Sequence, residues 1–254
     1  MTSASRALLT AALLALPSAL AAQEAMPKSG TEVLERMRAA YDGKWYHTLT
    51  FAQKTTIFAK DGTRRVQSWR EYMRHGAAGT HLRIDMGDPA AGNGALYTAD
   101  SSWRFRAGKL AAHDADGNPF LPMIEGVYVQ PVAKTVAEVG PMHVDLSKVT
   151  SGMRDGKAVW IVGVASTADS TSPQFWVEVE RKVVVRMIVQ LGGPDPFDIH
   201  LGDYVAVGGG MLATKVSMFV KGAPVQVEDY ADWKVDVPIA DAVFNPAAWV
   251  QPPR

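Results

Sequence analysis

The chain has 254 residues, 47% hydrophobic and 20% charged, with 26 basic residues balanced by 26 acidic ones and no cysteine. That length suits one large β-type domain or two small ones, and it suffices to bury a sizeable core. A formal charge of zero argues against a nucleic-acid partner, and the missing cysteine removes disulfides, thiolate metal sites, cysteine nucleophiles and the attachment point of a lipoprotein anchor.

The N-terminus has the three parts of a secretory signal. Met1–Ser5 is polar, Arg6 adds a positive charge, and Ala7–Leu16 is an unbroken small and apolar run ended by Pro17. Ala19-Leu20-Ala21 supplies the small-x-small cleavage pattern, and Ala22 permits cleavage one residue later. The apolar run is shorter than the roughly 20 residues that span a bilayer comfortably. Residues 1–22 are therefore predicted to be a cleaved signal peptide, and residues 23–254 a single exported domain. Cleavage removes Arg6 alone among the charged residues, leaving 25 basic against 26 acidic. A near-neutral exported chain without cysteine fits a Gram-negative periplasm, where disulfides are permitted but not required.

Ser29-Gly30-Thr31-Glu32 has capping-box spacing, and Val33, Leu34, Met37, Ala40 and Tyr41 follow on one helical face. Asp42-Gly43 ends the helix, and the period changes to two. Residues 46–59 place Leu49, Phe51, Thr55 and Ile57 on one strand face. Asp61-Gly62 turns the chain into a second strand over 65–73, where Trp69, Glu71 and Met73 alternate. Residues 81–86 put Leu82, Ile84 and Met86 on one face, and 95–98 with 103–106 form a further hairpin.

Residues 118–139 carry Pro119, Pro122 and Pro131 among Phe120, Leu121, Met123 and Ile124. Prolines at that density exclude a long strand or helix, so short helices and loops are predicted, with 131–137 as one candidate. Strands return at 158–164, 174–180, 183–191, 198–206, 212–220 and 225–235. The expected fold class is α+β: one strongly curved antiparallel sheet, an incomplete β-barrel, with helices covering its concave face.

Catalytic motifs are absent. The six histidines form no His-x-x-x-His pair, and no Gly-x-Ser-x-Gly elbow occurs. His113–Asn118 resembles the start of a calcium loop but lacks the distal glutamate, so it reads as a polar turn. Gly192-Gly193 and Gly208-Gly209-Gly210 lack the Lys-Ser/Thr of a phosphate cradle and read as bulges or turns. Asp195, Asp198, His200 and Asp203 are dense enough to consider as a metal site, but the surrounding glycines and prolines favour a turn and an exposed strand face. Apolar abundance says more. Seven Trp and 11 Met join the phenylalanines of alternating strands, and a curved sheet lined this way can enclose a lipid cavity.

Several segments together resemble the periplasmic lipoprotein-carrier superfamily, the LolA/LolB/RseB-like group of the lipoprotein chaperone and the envelope-stress regulator. They are the helix 31–41 leading into 46–56, Trp69-Arg70-Glu71-Tyr72-Met73, Leu82-Arg83-Ile84-Asp85, and Asn118-Pro119-Phe120-Leu121. The second half adds Ser172–Glu178 with 181–188, and Glu228-Asp229-Tyr230 before Phe244-Asn245-Pro246-Ala247-Ala248-Trp249. No position matches the chaperone's lid-locking arginine; Arg70 and Arg83 are strand arginines. Residues 118–139 would be an expanded cap.

The resemblance implies a soluble periplasmic carrier that is not an enzyme and uses no cofactor or metal. It would hold lipid or lipoprotein acyl chains between sheet and cap, as a monomer, with envelope membrane proteins as further partners. Lining candidates are Phe51, Ile57, Trp69, Leu82, Ile84, Trp103 and Phe105 from the sheet, and Phe120, Leu121, Met123 and Ile124 from the cap. Two alternatives stand beside it. One is a signalling or scaffold protein that binds another envelope protein through its sheet. The other is a metal-dependent hydrolase built on Asp195, Asp198, His200 or Asp203.

Overall fold

The computed structural model describes residues 24–191 and 193–249, so the predicted signal peptide lies outside the described residues. Helix α1 (Gly30–Ala40) starts where the capping pattern places it. Ser29 Oγ accepts from the Glu32 amide at 3.2 Å. The Glu32 carboxylate accepts from the amide of Lys28 at 2.8 Å, one residue earlier than a capping box prescribes. Val33, Leu34 and Met37 are fully buried, as the apolar stripe requires.

Six strands follow as a meander: β1 (Thr48–Phe58), β2 (Arg64–Gly76), β3 (Gly79–Met86), β4 (Gly94–Tyr97), β5 (Ser102–Arg106) and β6 (Lys109–Asp114). The proline-broken segment forms a π-type turn over Pro122–Gly126, one α-helical turn α2 (Val127–Val129), and helix α3 (Val132–Val139). Pro131 sits at the N-cap of α3, where its missing N–H costs nothing. A second meander completes the chain: β7 (Val149–Arg154), β8 (Lys157–Val162), β9 (Gln174–Glu178), β10 (Val183–Val189), β11 (Phe197–Val207), β12 (Gly210–Val220) and β13 (Ala223–Val235).

All thirteen strands form one antiparallel sheet, in the order β6-β5-β4-β3-β2-β1-β13-β12-β11-β10-β9-β8-β7. The last strand returns to the first, with Lys54 opposite Asp229 and Thr55 opposite Glu228. This single long-range pairing joins the two meanders. The sheet is not closed, because β6 and β7 are its two edges.

Those edges are also the two strands that sequence patterning does not show. In β6 only Ala112 escapes full exposure, and β7 has no fully buried residue. Without a buried face there is no apolar alternation to read. Residues 113–118, read as a polar turn, instead begin with the end of β6, where the His113 ring stacks on Trp103 at 4.9 Å. The β5–β6 turn is made by Ala107 (φ 48°) and Gly108 (φ 73°), the paired left-handed conformation that suits two-residue hairpins.

Alternation divides the sheet into two faces. On one, Leu49, Phe51, Met73, Leu82, Met187 and Ile199 form a buried cluster with Val33, Leu34 and Met37 of α1 and Leu121, Met123 and Val127 of the middle segment. On the other face of β3–β5, Leu96 and Phe105 pack against Val243, Phe244 and Trp249 from the C-terminal helical turns. There the Arg83 side chain donates to Asp85 at 2.9 Å and to the Trp249 carbonyl at 3.1 Å. The approach is close enough to need glycine at position 94. A Cβ there would lie 1.9 Å from the Ile84 oxygen and 2.9 Å from the Trp249 ring.

Candidate functional site

A cavity of about 310 Å³ lies on the first face, within the range of small-molecule sites, roughly 300–1,000 Å³. Its walls come from both meanders. Phe51, Trp69, Leu82 and Ile84 face it from β1–β3, while Met187, Ile199, Leu201 and Val216 face it from β10–β12. Strands on both sides of the β1–β13 junction reach one cavity only if the sheet bends around it. Phe120, Leu121 and Ile124 complete the lining from the segment between the meanders.

Seven of the eleven residues proposed from sequence therefore line this cavity: Phe51, Trp69, Leu82, Ile84, Phe120, Leu121 and Ile124. Met123 is fully buried in the same core cluster as Phe51, Leu82 and Ile84 but does not line the cavity. Ile57 lies near the β1–β2 hairpin and is only partly buried. Trp103 and Phe105 belong to the opposite face, under the C-terminal turns. Their parity follows from register: Trp103 pairs with Leu96 and Leu96 with Arg83, the neighbour of the cavity-facing Leu82 and Ile84.

The wall also holds polar groups that the sequence reading did not single out. Glu71 and Glu228 are 5% and 7% exposed, and both line the cavity. Glu228 is well served: Gln226 Nε2 donates to one of its oxygens at 2.5 Å and the Tyr230 hydroxyl to the other at 2.7 Å. Burial nevertheless pushes its pKa up. Burial pushes Glu71 well above the usual glutamate range, with the nearby Glu228 adding to it. A signal for Glu71 existed, because it lies in phase with Trp69 and Met73 on an otherwise apolar face. Glu228 lies opposite Thr55 of β1, a pairing that no local pattern reveals.

Glu125, also on the cavity wall, ties the middle segment to the loop between α1 and β1. Its carboxylate accepts from Trp45 Nε1 at 3.0 Å and from the Tyr46 hydroxyl at 2.9 Å. His75 Nε2 lies 3.3 Å away, at ion-pair distance but outside hydrogen-bond geometry. Trp45 stacks on Tyr128 of α2 with ring centroids 3.9 Å apart. Burial first, then the Glu125 charge, pushes the Tyr46 hydroxyl well up, so it remains a donor at any physiological pH.

Of Asp195, Asp198, His200 and Asp203, only His200 and Asp203 share a cleft. Asp198 is held by Arg186 at 2.7 Å and His200 at 3.0 Å, and Asp195 by Lys221 at 3.0 Å. Burial would raise the Asp198 pKa, but His200 and Arg186 outweigh it and hold the carboxyl well below the usual range. Among the described residues, no group of three His, Asp or Glu is arranged to hold a metal ion. A larger cleft of about 470 Å³ is charged rather than apolar. Its Glu178 is already bound by Arg181 at 2.5 Å and by Lys157 at 3.3 Å. The exposed large apolar residues, Met26, Val66, Leu110, Met153 and Leu191, include no aromatic among the described residues. An exposed aromatic docking patch is thus not seen.

The arrangement of an open antiparallel sheet and a short-helix segment has counterparts among solved structures. A DUF1329 family protein from Desulfovibrio piger matches with a TM-score of 0.59 at 14% identity, over 87% of this chain and 97% of that one. An outer-membrane lipoprotein-sorting protein domain from Vibrio parahaemolyticus also gives 0.59, at 10% identity, over 87% and 98%. A LolA superfamily protein from Nitrosomonas europaea gives 0.50 at 15% identity, over 85% and 97%. The chain has the LolA-like fold. No family model and no curated sequence matches it. At these identities the likeness extends to the LolA-like architecture, and the side chains that line the cavity are this chain's own. No helix among the described residues is long and apolar enough to cross a membrane.

Proposed function

We propose that this protein is a soluble periplasmic carrier that binds a lipid, or the acyl chains of a lipoprotein, in the cavity between sheet and middle segment. The observation that carries this reading is the cavity itself, walled by apolar side chains from eight strands and by Phe120, Leu121 and Ile124. Lipoprotein sorting in the name of a fold relative supports the same class of cargo. Export as a single domain after signal cleavage places the carrier where such cargo travels.

The work required is binding without covalent chemistry. Each buried CH₂ contributes about 0.8 kcal/mol, so an acyl chain binds strongly in a dry apolar cavity. Release then needs the cover to move. The middle segment suits that role, because beside its apolar packing it is held by a localised polar anchor, Glu125 on the α1–β1 loop. In this reading it is the cap over the concave face, and the protein acts as a monomer without catalysis.

The test is to purify the mature protein from its native envelope, extract it with organic solvent and analyse the extract by mass spectrometry. Stoichiometric lipid supports the carrier. No lipid, together with no uptake of the neutral fluorescent probe N-phenyl-1-naphthylamine, refutes it.

A further inference from the structure

Glu71 occupies an unusual position on β2. Its carboxyl faces the cavity among Phe51, Trp69, Met73 and Ile84, and the side chain is almost wholly buried. Glu228 nearby has both oxygens engaged by Gln226 and Tyr230. Among the described residues nothing equivalent serves Glu71: burial and Glu228 raise its pKa, and no donor offsets them. The adjacent Trp69 N–H does not help, for it too lacks a partner. A buried carboxyl without a donor is costly, and a ligand that brings one removes that cost.

Resting on the carrier reading above, we propose that Glu71 is a head-group anchor inside the cavity. It receives the hydroxyl or ammonium donor of a single-chain amphiphile whose hydrocarbon lies along Phe51, Leu82, Ile84 and Ile199. A carboxylate head is disfavoured there, because it brings no donor and adds a negative charge beside two acidic side chains. The cavity thus selects by head group as well as by chain. Glu228 is a positioning residue, since Gln226 and Tyr230 occupy its oxygens.

The test uses the full mature protein at pH 7, loaded with N-phenyl-1-naphthylamine and titrated with dodecanol, dodecylammonium and dodecanoate below their micellar concentrations. The three share one chain and differ only in the head. The expected result is that dodecanol and dodecylammonium displace the probe at concentrations about tenfold lower than dodecanoate does, the scale of one net buried hydrogen bond. Glu71→Leu should still bind the probe and lose that preference. Glu71→Gln, which keeps a hydrogen-bonding group of the same shape but no charge, should keep the preference for dodecanol over dodecanoate and weaken the binding of dodecylammonium relative to dodecanol. Equal displacement by all three heads in the unaltered protein, or an unchanged order in Glu71→Leu, overturns the anchor and leaves the carrier standing. No probe binding at all overturns both.

Discussion

Replacing Trp249 with alanine isolates the contribution of the C-terminal turns. Trp249 is 3% exposed. Its ring stacks on Phe105 with centroids 4.2 Å apart, and the Arg83 guanidinium lies 4.2 Å from its centroid. Its indole N–H donates to the Gly92 carbonyl at 3.1 Å. An indole buries about 150–250 Å², worth roughly 4–6 kcal/mol at ~25 cal/mol per Å². Because the short C-terminal turns can relax, the lower part of the usual aromatic-to-alanine range applies, about 3–4 kcal/mol. For a domain of this size that lowers Tm by on the order of 6–16 °C. Differential scanning calorimetry of the mature protein reads the shift directly. Trp249→Phe should retain most of the stacking and lose about 1 kcal/mol for the absent N–H. Binding of an apolar probe should be unchanged in either variant below its Tm, since these contacts lie on the face opposite the cavity. A loss under 1 kcal/mol in Trp249→Ala would refute the assignment of these turns as part of the folded core.

Other variants probe the cavity face. Leu82→Trp projects a larger ring into the cavity and should weaken probe binding at least tenfold in a fluorescence titration, at an overpacking cost of about 1–3 kcal/mol; undiminished uptake would show that the probe binds elsewhere. Glu125→Leu leaves the Trp45 and Tyr46 donors buried without their acceptor and should cost about 2–4 kcal/mol in urea unfolding, whereas Glu125→Gln should recover part of the loss. The folded-state pKa of Glu71 is raised, so its contribution is fully present below the unfolded value of 4.5 and is lost as pH rises through the folded value. Glu71→Leu should therefore stabilise the protein more at pH 8 than at pH 4 in thermal melts, and the opposite trend would contradict the burial argument. Ser29→Ala should cost about 1 kcal/mol through the lost N-cap of α1, measured by chemical denaturation.

Local physics decided much of what the sequence made legible. Ser29 and the Val33, Leu34, Met37 stripe define α1 because capping and helical periodicity act over a few residues. Alternation located eleven of the thirteen strands to within a few residues, and paired left-handed turns such as Lys221-Gly222, with φ 52° and 75°, carry their own chemistry. The prolines of 118–139 excluded a long element, and the structure answers with a π-type turn and two short helices. Strand parity likewise put Leu49 with Phe51, Trp69 with Met73, and Leu82 with Ile84 on one face of each strand.

Composition opened by excluding cysteine chemistry and polyanion partners, and those exclusions need no coordinates. Tertiary structure decided what depends on distance in sequence. It pairs β13 with β1, so the two meanders become one sheet, and it turns one face of that sheet around a cavity. It covers the other face with Trp249, which moves Trp103 and Phe105 away from the cavity although their residue types suit it equally well. It also surrounds Glu71 with apolar walls from both meanders. Periodicity reports that a residue has a buried side; which of two buried sides it occupies is fixed only when distant strands come together.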